Sequence, residues 1–110
     1  MVRRETKTSS GSKLIEAESW IRKAKPNSFA PNAFKTNREA LELAREMKKL
    51  SCKVFTSTRE EIGVPDEADS FEVHCSSARS YEEALDLGLS YNPDEVIRQK
   101  RKLRFYVWWD

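Results

Sequence analysis

Two rhythms of apolar positions run along the chain, one near about 3.6 residues and one of two. Leu14, Ile15, Ala17, Trp20, Ile21 and Ala24 recur at helical spacing. They predict an amphipathic helix from Lys13, capped by Ser12 and closed by Pro26, which disfavours helical backbone in the residue before it. Residues 26–35 carry two prolines and two asparagines and read as a loop, with room for a short extended piece around Phe29 or Phe34. Thr36-Asn37-Arg38-Glu39 has the form of a capping box. The stripe behind it, Ala40, Leu41, Leu43, Ala44, Met47 and Leu50, predicts the principal helix, with Leu41, Leu43 and Met47 in the core.

The rhythm of two follows. Residues 52–58 (CKVFTST) are β-branched and aromatic and predict a strand. Residues 59–69 read as an acidic loop broken by Gly63 and Pro65. In residues 70–76, Phe71, Val73 and Cys75 alternate with Glu72 and His74. A second capping box, Ser80-Tyr81-Glu82-Glu83, opens a helix with Tyr81, Ala84, Leu85 and Leu89 inward, weakened by Gly88. Asn92-Pro93-Asp94-Glu95 has the form of another helix start, with Val96 and Ile97 as its apolar face. Residues 102–109 make the last strand, with Leu103, Phe105, Val107 and Trp109 on one face and Lys102, Arg104, Tyr106 and Trp108 on the other.

The expected order is α–α–β–β–α–α–β. It describes an α+β domain with a small three- or four-stranded mixed sheet packed with three to four helices. If residues 29–35 pair as a strand, the arrangement becomes ferredoxin-like, the split βαβ form. A chain of 110 residues has room for one domain. Residues 1–12 have no apolar periodicity and read as a disordered N-terminal arm, leaving 13–110 as a single α+β domain. The longest apolar run, Phe105 to Trp109, is far short of the roughly 20 residues of a membrane span. With no charged-then-apolar leader, the chain is expected to be soluble and cytoplasmic. Cys52 and Cys75 both fall in predicted strands and read as buried free thiols, although neighbouring strands would bring a bridge within geometric reach.

Charge changes the picture. Residues 1–58 hold 13 basic and 6 acidic residues, residues 59–96 hold 2 and 11, and residues 97–110 hold 5 and 1. The net +2 therefore conceals three blocks of alternating sign. They are either solvated faces that folding intermixes or a dipolar surface that steers a charged partner.

Little of this composition suits catalysis. His74 is the lone imidazole, and in a strand it points away from its neighbour Cys75. Glycines occur only at 11, 63 and 88, so no phosphate-cradling loop is present. Glu60, Glu61, Asp66, Glu67 and Asp69 do not have calcium-loop spacing and read as a solvated loop. No enzymatic activity, cofactor or metal is expected. The candidate site is instead a sheet face: Lys53, Phe55 and His74 with Arg104, Tyr106 and Trp108, beside the basic Arg101 and Lys102. Either the Trp20 helix covers this face or it is exposed. Exposed, it reads as the surface of a small non-catalytic binding module that docks on another protein as an accessory or inhibitory factor. The alternative is nucleic-acid binding through basic termini and the aromatic C-terminal strand. That strand, placed at a sheet edge, could also pair with a second copy of the chain.

Overall fold

The computed structural model describes residues 14–59 and 64–110. The predicted arm (1–12), its Ser12 cap and the tip of the acidic loop lie outside the described residues. In chain order the elements are β1 (Ile15–Glu16), α1 (Ala17–Lys23), α2 (Asn37–Lys49), β2 (Cys52–Thr56), β3 (Thr58–Arg59), β4 (Val64–Ala68), β5 (Ser70–Cys75), α3 (Ala78–Leu89), β6 (Glu95–Gln99), a 3-10 turn (Lys100–Lys102) and β7 (Arg104–Trp108). The fold is α+β. β1, β2, β5, β7 and β6 form, in that order, a five-stranded sheet, and β3 with β4 forms a separate ribbon.

This sheet is larger than expected and antiparallel throughout rather than mixed. The strands beyond the expected three are β1, formed by residues expected to begin the first helix, and β6. The Asn-Pro-Asp-Glu lead of β6 looks like a helix start, but Asn92 takes a left-handed turn at φ 56° and the Asp94 amide donates to the Trp108 carbonyl at 2.8 Å. The β-branched Val96 and Ile97 then pair with Val107 and Tyr106. β7 lies between β5 and β6, so the C-terminal strand is interior and β6 holds the edge. The helix α3 joins β5 to β6, two strands that run parallel with β7 folded back between them. Residues 29–35 add no strand to the sheet. Phe29 makes one isolated bridge to Ala68, and the ferredoxin-like order is not formed.

Helix boundaries differ from expectation through their caps. α1 starts late because Glu16 caps it, accepting from the Ser19 amide at 2.8 Å and the Glu18 amide at 3.3 Å. Ser77 rather than Ser80 opens α3, accepting from the Ser80 amide at 3.0 Å. Thr36 stands at the N-cap of α2 without a side-chain cap bond, while Glu39 accepts from the Lys35 amide at 3.0 Å. Asn37 ties the preceding loop to this helix. Its Oδ1 accepts from the Ser28 and Phe29 amides, and its Nδ2 donates to the Lys25 carbonyl.

The helices bury one face of the sheet. Ala17 and Ile21 of α1, Leu43 and Met47 of α2, and Tyr81, Ala84 and Leu85 of α3 share one core with Val54, Phe71, Val73, Phe105 and Val107. Leu41, expected at the centre, is only half-buried at its margin. A Cβ on Gly88 would meet Met47 Cε at 3.2 Å, so the glycine lets α3 lie close. The loop supplies an unforeseen part of the core. Phe29, Phe34 and Phe71 surround fully buried Trp109 with centroids at 6.0, 5.0 and 5.6 Å, and the Trp109 indole donates to the Tyr91 carbonyl at 3.0 Å.

Leu43→Ala is expected to cost about 2–5 kcal/mol by urea denaturation and Leu41→Ala distinctly less; equal losses would contradict this packing. A pH effect follows from the α1–α2 contact. Glu18 receives Lys48 Nζ at 2.6 Å and Arg45 Nε at 3.0 Å, and these hydrogen bonds hold its carboxyl below the ordinary 4.5. A carboxyl shifted down adds stability that is complete above about 4.5 and is lost as pH falls through its folded value. Melting curves should therefore show Glu18→Gln narrowing its deficit to the parent as pH drops below about 4.5.

Candidate functional site

Directly opposed residues in an antiparallel ladder share a face. On the side away from the three described helices, one row runs Glu16, Phe55, Glu72, Tyr106, Ile97. A second runs Lys53, His74, Arg104, Gln99, and a third Ser70, Trp108, Glu95. The six strand residues predicted to meet, Lys53, Phe55, His74, Arg104, Tyr106 and Trp108, do meet here. α1 does not cover them; it lies beside α2, with Ala17 and Ile21 in the core on the other side.

The face is uneven in exposure. Lys53, Arg104 and Gln99 are exposed, while Phe55, Glu72, His74, Ile97 and Trp108 are half-buried. Tyr106 is 6% exposed, buried outside the main core cluster. His74 Nε2 and Glu72 Oε2 are 2.8 Å apart, and the His74 ring lies 4.9 Å from that of Phe55. A depression of about 250 Å³ is lined by Glu72, Ile97, Gln99, Lys102, Arg104 and Tyr106. Lys102 thus joins the face from the turn below, whereas Arg101, exposed in the same turn, does not line the depression.

The resulting pattern is cationic at one end, through Lys53, Arg104 and Lys102, and acidic across the middle and far end, through Glu16, Glu72 and Glu95. Ile97 and Gln99 also belong to this face; Asn92-Pro93-Asp94-Glu95 has the form of a helix start and masks the alternation Glu95, Ile97, Gln99 that marks the strand. Cys52 and Cys75 sit on the helix side of the sheet, so neither thiol reaches His74. Among the described residues, no three His, Cys, Asp or Glu side chains are grouped to hold a metal ion, and no helix is long and apolar enough to cross a membrane. The face presents charged side chains of both signs in fixed register around partly buried rings.

A scan against protein-family models, a search of curated proteins and a search of solved structures each returned no match.

Exposed Lys53 and Arg104 have no core role. Lys53→Glu and Arg104→Glu should each leave stability within about 0.5 kcal/mol of the parent in chemical denaturation; a larger loss in either would show that its side chain supports the fold.

Proposed function

We propose that this protein is a small non-catalytic module that docks on another protein through the sheet face bearing Lys53, Phe55, His74, Arg104, Tyr106 and Trp108, acting in the cytoplasm as an accessory or inhibitory factor. The observation that carries the reading is the composition of this face: aromatic and aliphatic side chains held in register, ringed by charges of both signs, on the side away from the three described helices. Tyr, Trp and Arg are the side chains most enriched where binding energy concentrates. The charge pattern specifies the partner's chemistry. An acidic rim would meet Lys53, Lys102 and Arg104, and an apolar centre would meet Phe55, Ile97 and Trp108.

Nucleic acid is the second reading, favoured by the cations at one end of the face. Two observations weigh against it. Glu16, Glu72 and Glu95 share the face and would repel a phosphate backbone, and the Tyr106 ring is too buried to stack on a base.

The test uses a photo-crosslinking residue at position 53 or 104, with Arg38, whose side chain is 84% exposed on α2, as the control position. A discrete, nuclease-resistant protein adduct formed from 53 and 104 but not from 38 is expected. Binding of that purified partner should weaken roughly tenfold or more with Trp108→Ala. A mixed-sequence oligonucleotide should bind no tighter than about 10⁻⁴ M at physiological salt. Tight oligonucleotide binding that falls steeply with salt would overturn the reading in favour of nucleic acid. Identical adducts from all three positions would remove the face from consideration.

A further inference from the structure

We propose that Cys52 and Cys75 form a dithiol–disulfide couple, a modification site on the helix side of the sheet that takes a low-molecular-weight disulfide as its two-electron oxidant. The two residues are directly opposed partners in the β2–β5 ladder. Their sulfurs lie 3.0 Å apart, with the Cys52 thiol donating toward Cys75, and both are free thiols. Opposed residues of antiparallel strands have Cα atoms about 4.5–5.5 Å apart. That interval lies inside the roughly 4.4–6.8 Å that disulfides span, so closure asks for side-chain rotation and no rearrangement of strands.

Exposure sets the order of events. Cys52 is 6% exposed, and Cys75 is the more accessible of the pair. The Cys75 thiolate attacks the disulfide RSSR, forms a mixed disulfide and releases one thiolate RS⁻. The Cys52 thiolate then attacks the Cys75 sulfur, closes the Cys52–Cys75 bond and releases the second RS⁻. The two protons given up by the protein thiols end on the two RS⁻ groups, so two RSH leave and the protein is oxidised by two electrons. Burial pushes both thiols up from their ordinary value, which lowers the thiolate fraction and slows this exchange.

Closure ties residues 52–75 into a loop and restricts the unfolded chain. It also anchors the strand pair one step from Lys53 and His74, at the cationic end of the face. The bridge itself does not depend on what that face binds.

The experiment equilibrates the reduced full chain with mixtures of reduced and oxidised glutathione, quenches with acid, and alkylates in denaturant before intact-mass and peptide analysis. The expected product has lost two hydrogens, resists alkylation, yields one linked peptide joining Cys52 to Cys75, and melts roughly 10 °C higher than the reduced chain. Dithiothreitol should reverse all four changes. Cys52→Ser is expected to stop at a glutathione adduct on Cys75. Full alkylation of both cysteines at the most oxidising ratio, a persistent adduct on Cys75 of the parent chain, or a bridge between two chains would each overturn the proposal. The parent chain alone decides the matter if the serine variant fails to fold.

Discussion

The pairing of β5 with β2 on one side and β7 on the other is the constraint on which the remaining structure depends. Each ladder forces opposed residues onto a common face, so the register Val54–Val73–Phe105 commits a whole column of side chains to the helix layer. The same register commits Lys53, His74 and Arg104 to the opposite side. A slip of one residue in either ladder would turn Phe71 and Val73 outward and bury Glu72 and His74. Burial of Phe71 and Val73, both at 0% exposure, is therefore what holds the candidate face in place. The face owes its geometry to the core packed on the other side of the same strands.

A second consequence concerns the segment between the first two helices. It has no regular structure, yet Phe29, Ala30 and Phe34 are buried. Buried backbone must find hydrogen-bond partners, and this loop finds them without forming a strand. The Ala30 amide donates to the Ala68 carbonyl at 2.9 Å, and the Ala68 amide donates to Ser28 at 3.1 Å. Asn37 supplies a further set from the first turn of α2. The loop can then close over Trp109, one residue past the last strand. An indole at the end of β7 thereby becomes the centre of an aromatic cluster drawn from three separate parts of the chain.

These two features explain what the sequence disclosed. Period-two alternation was unambiguous in β5 and β7, because each strand pairs on both sides and buries one face, and so the six face residues of β2, β5 and β7 were grouped correctly. The 3.6 rhythm of α2 was equally plain, although it did not distinguish Leu43, at the centre of the contact, from Leu41 at its margin. β6 was misread because local signals compete over so short a stretch. Asn-Pro-Asp-Glu favours a helix start in isolation, and only the ladder to Val107 and Tyr106 outweighs it. Phe29 and Phe34 lie in the expected loop, but no periodicity marks a residue whose burial depends on a contact with position 109. Alternation places Cys52 and Cys75 in strands, but only the β2–β5 register sets them opposite one another.

Electrostatics provides the last step. Among the described residues, two ion pairs join the acidic middle of the chain to its basic flanks. Lys25 reaches Asp66 at 3.2 Å and Lys100 reaches Glu82 at 3.5 Å, each joining blocks of opposite sign. Both pairs are largely exposed and contribute at most about 1 kcal/mol each. Their effect is on the field rather than on stability, because paired charges cancel beyond roughly 10 Å. The cations that line the depression on the sheet, Lys102 and Arg104, share its wall with Glu72, a carboxylate of the same face. Such a surface exerts little long-range pull on a polyanion but discriminates sharply at contact, where each misplaced charge loses its partner. Carboxylates placed among the cations of one face disfavour a phosphate backbone, and on this ground we propose docking on protein ahead of nucleic acid.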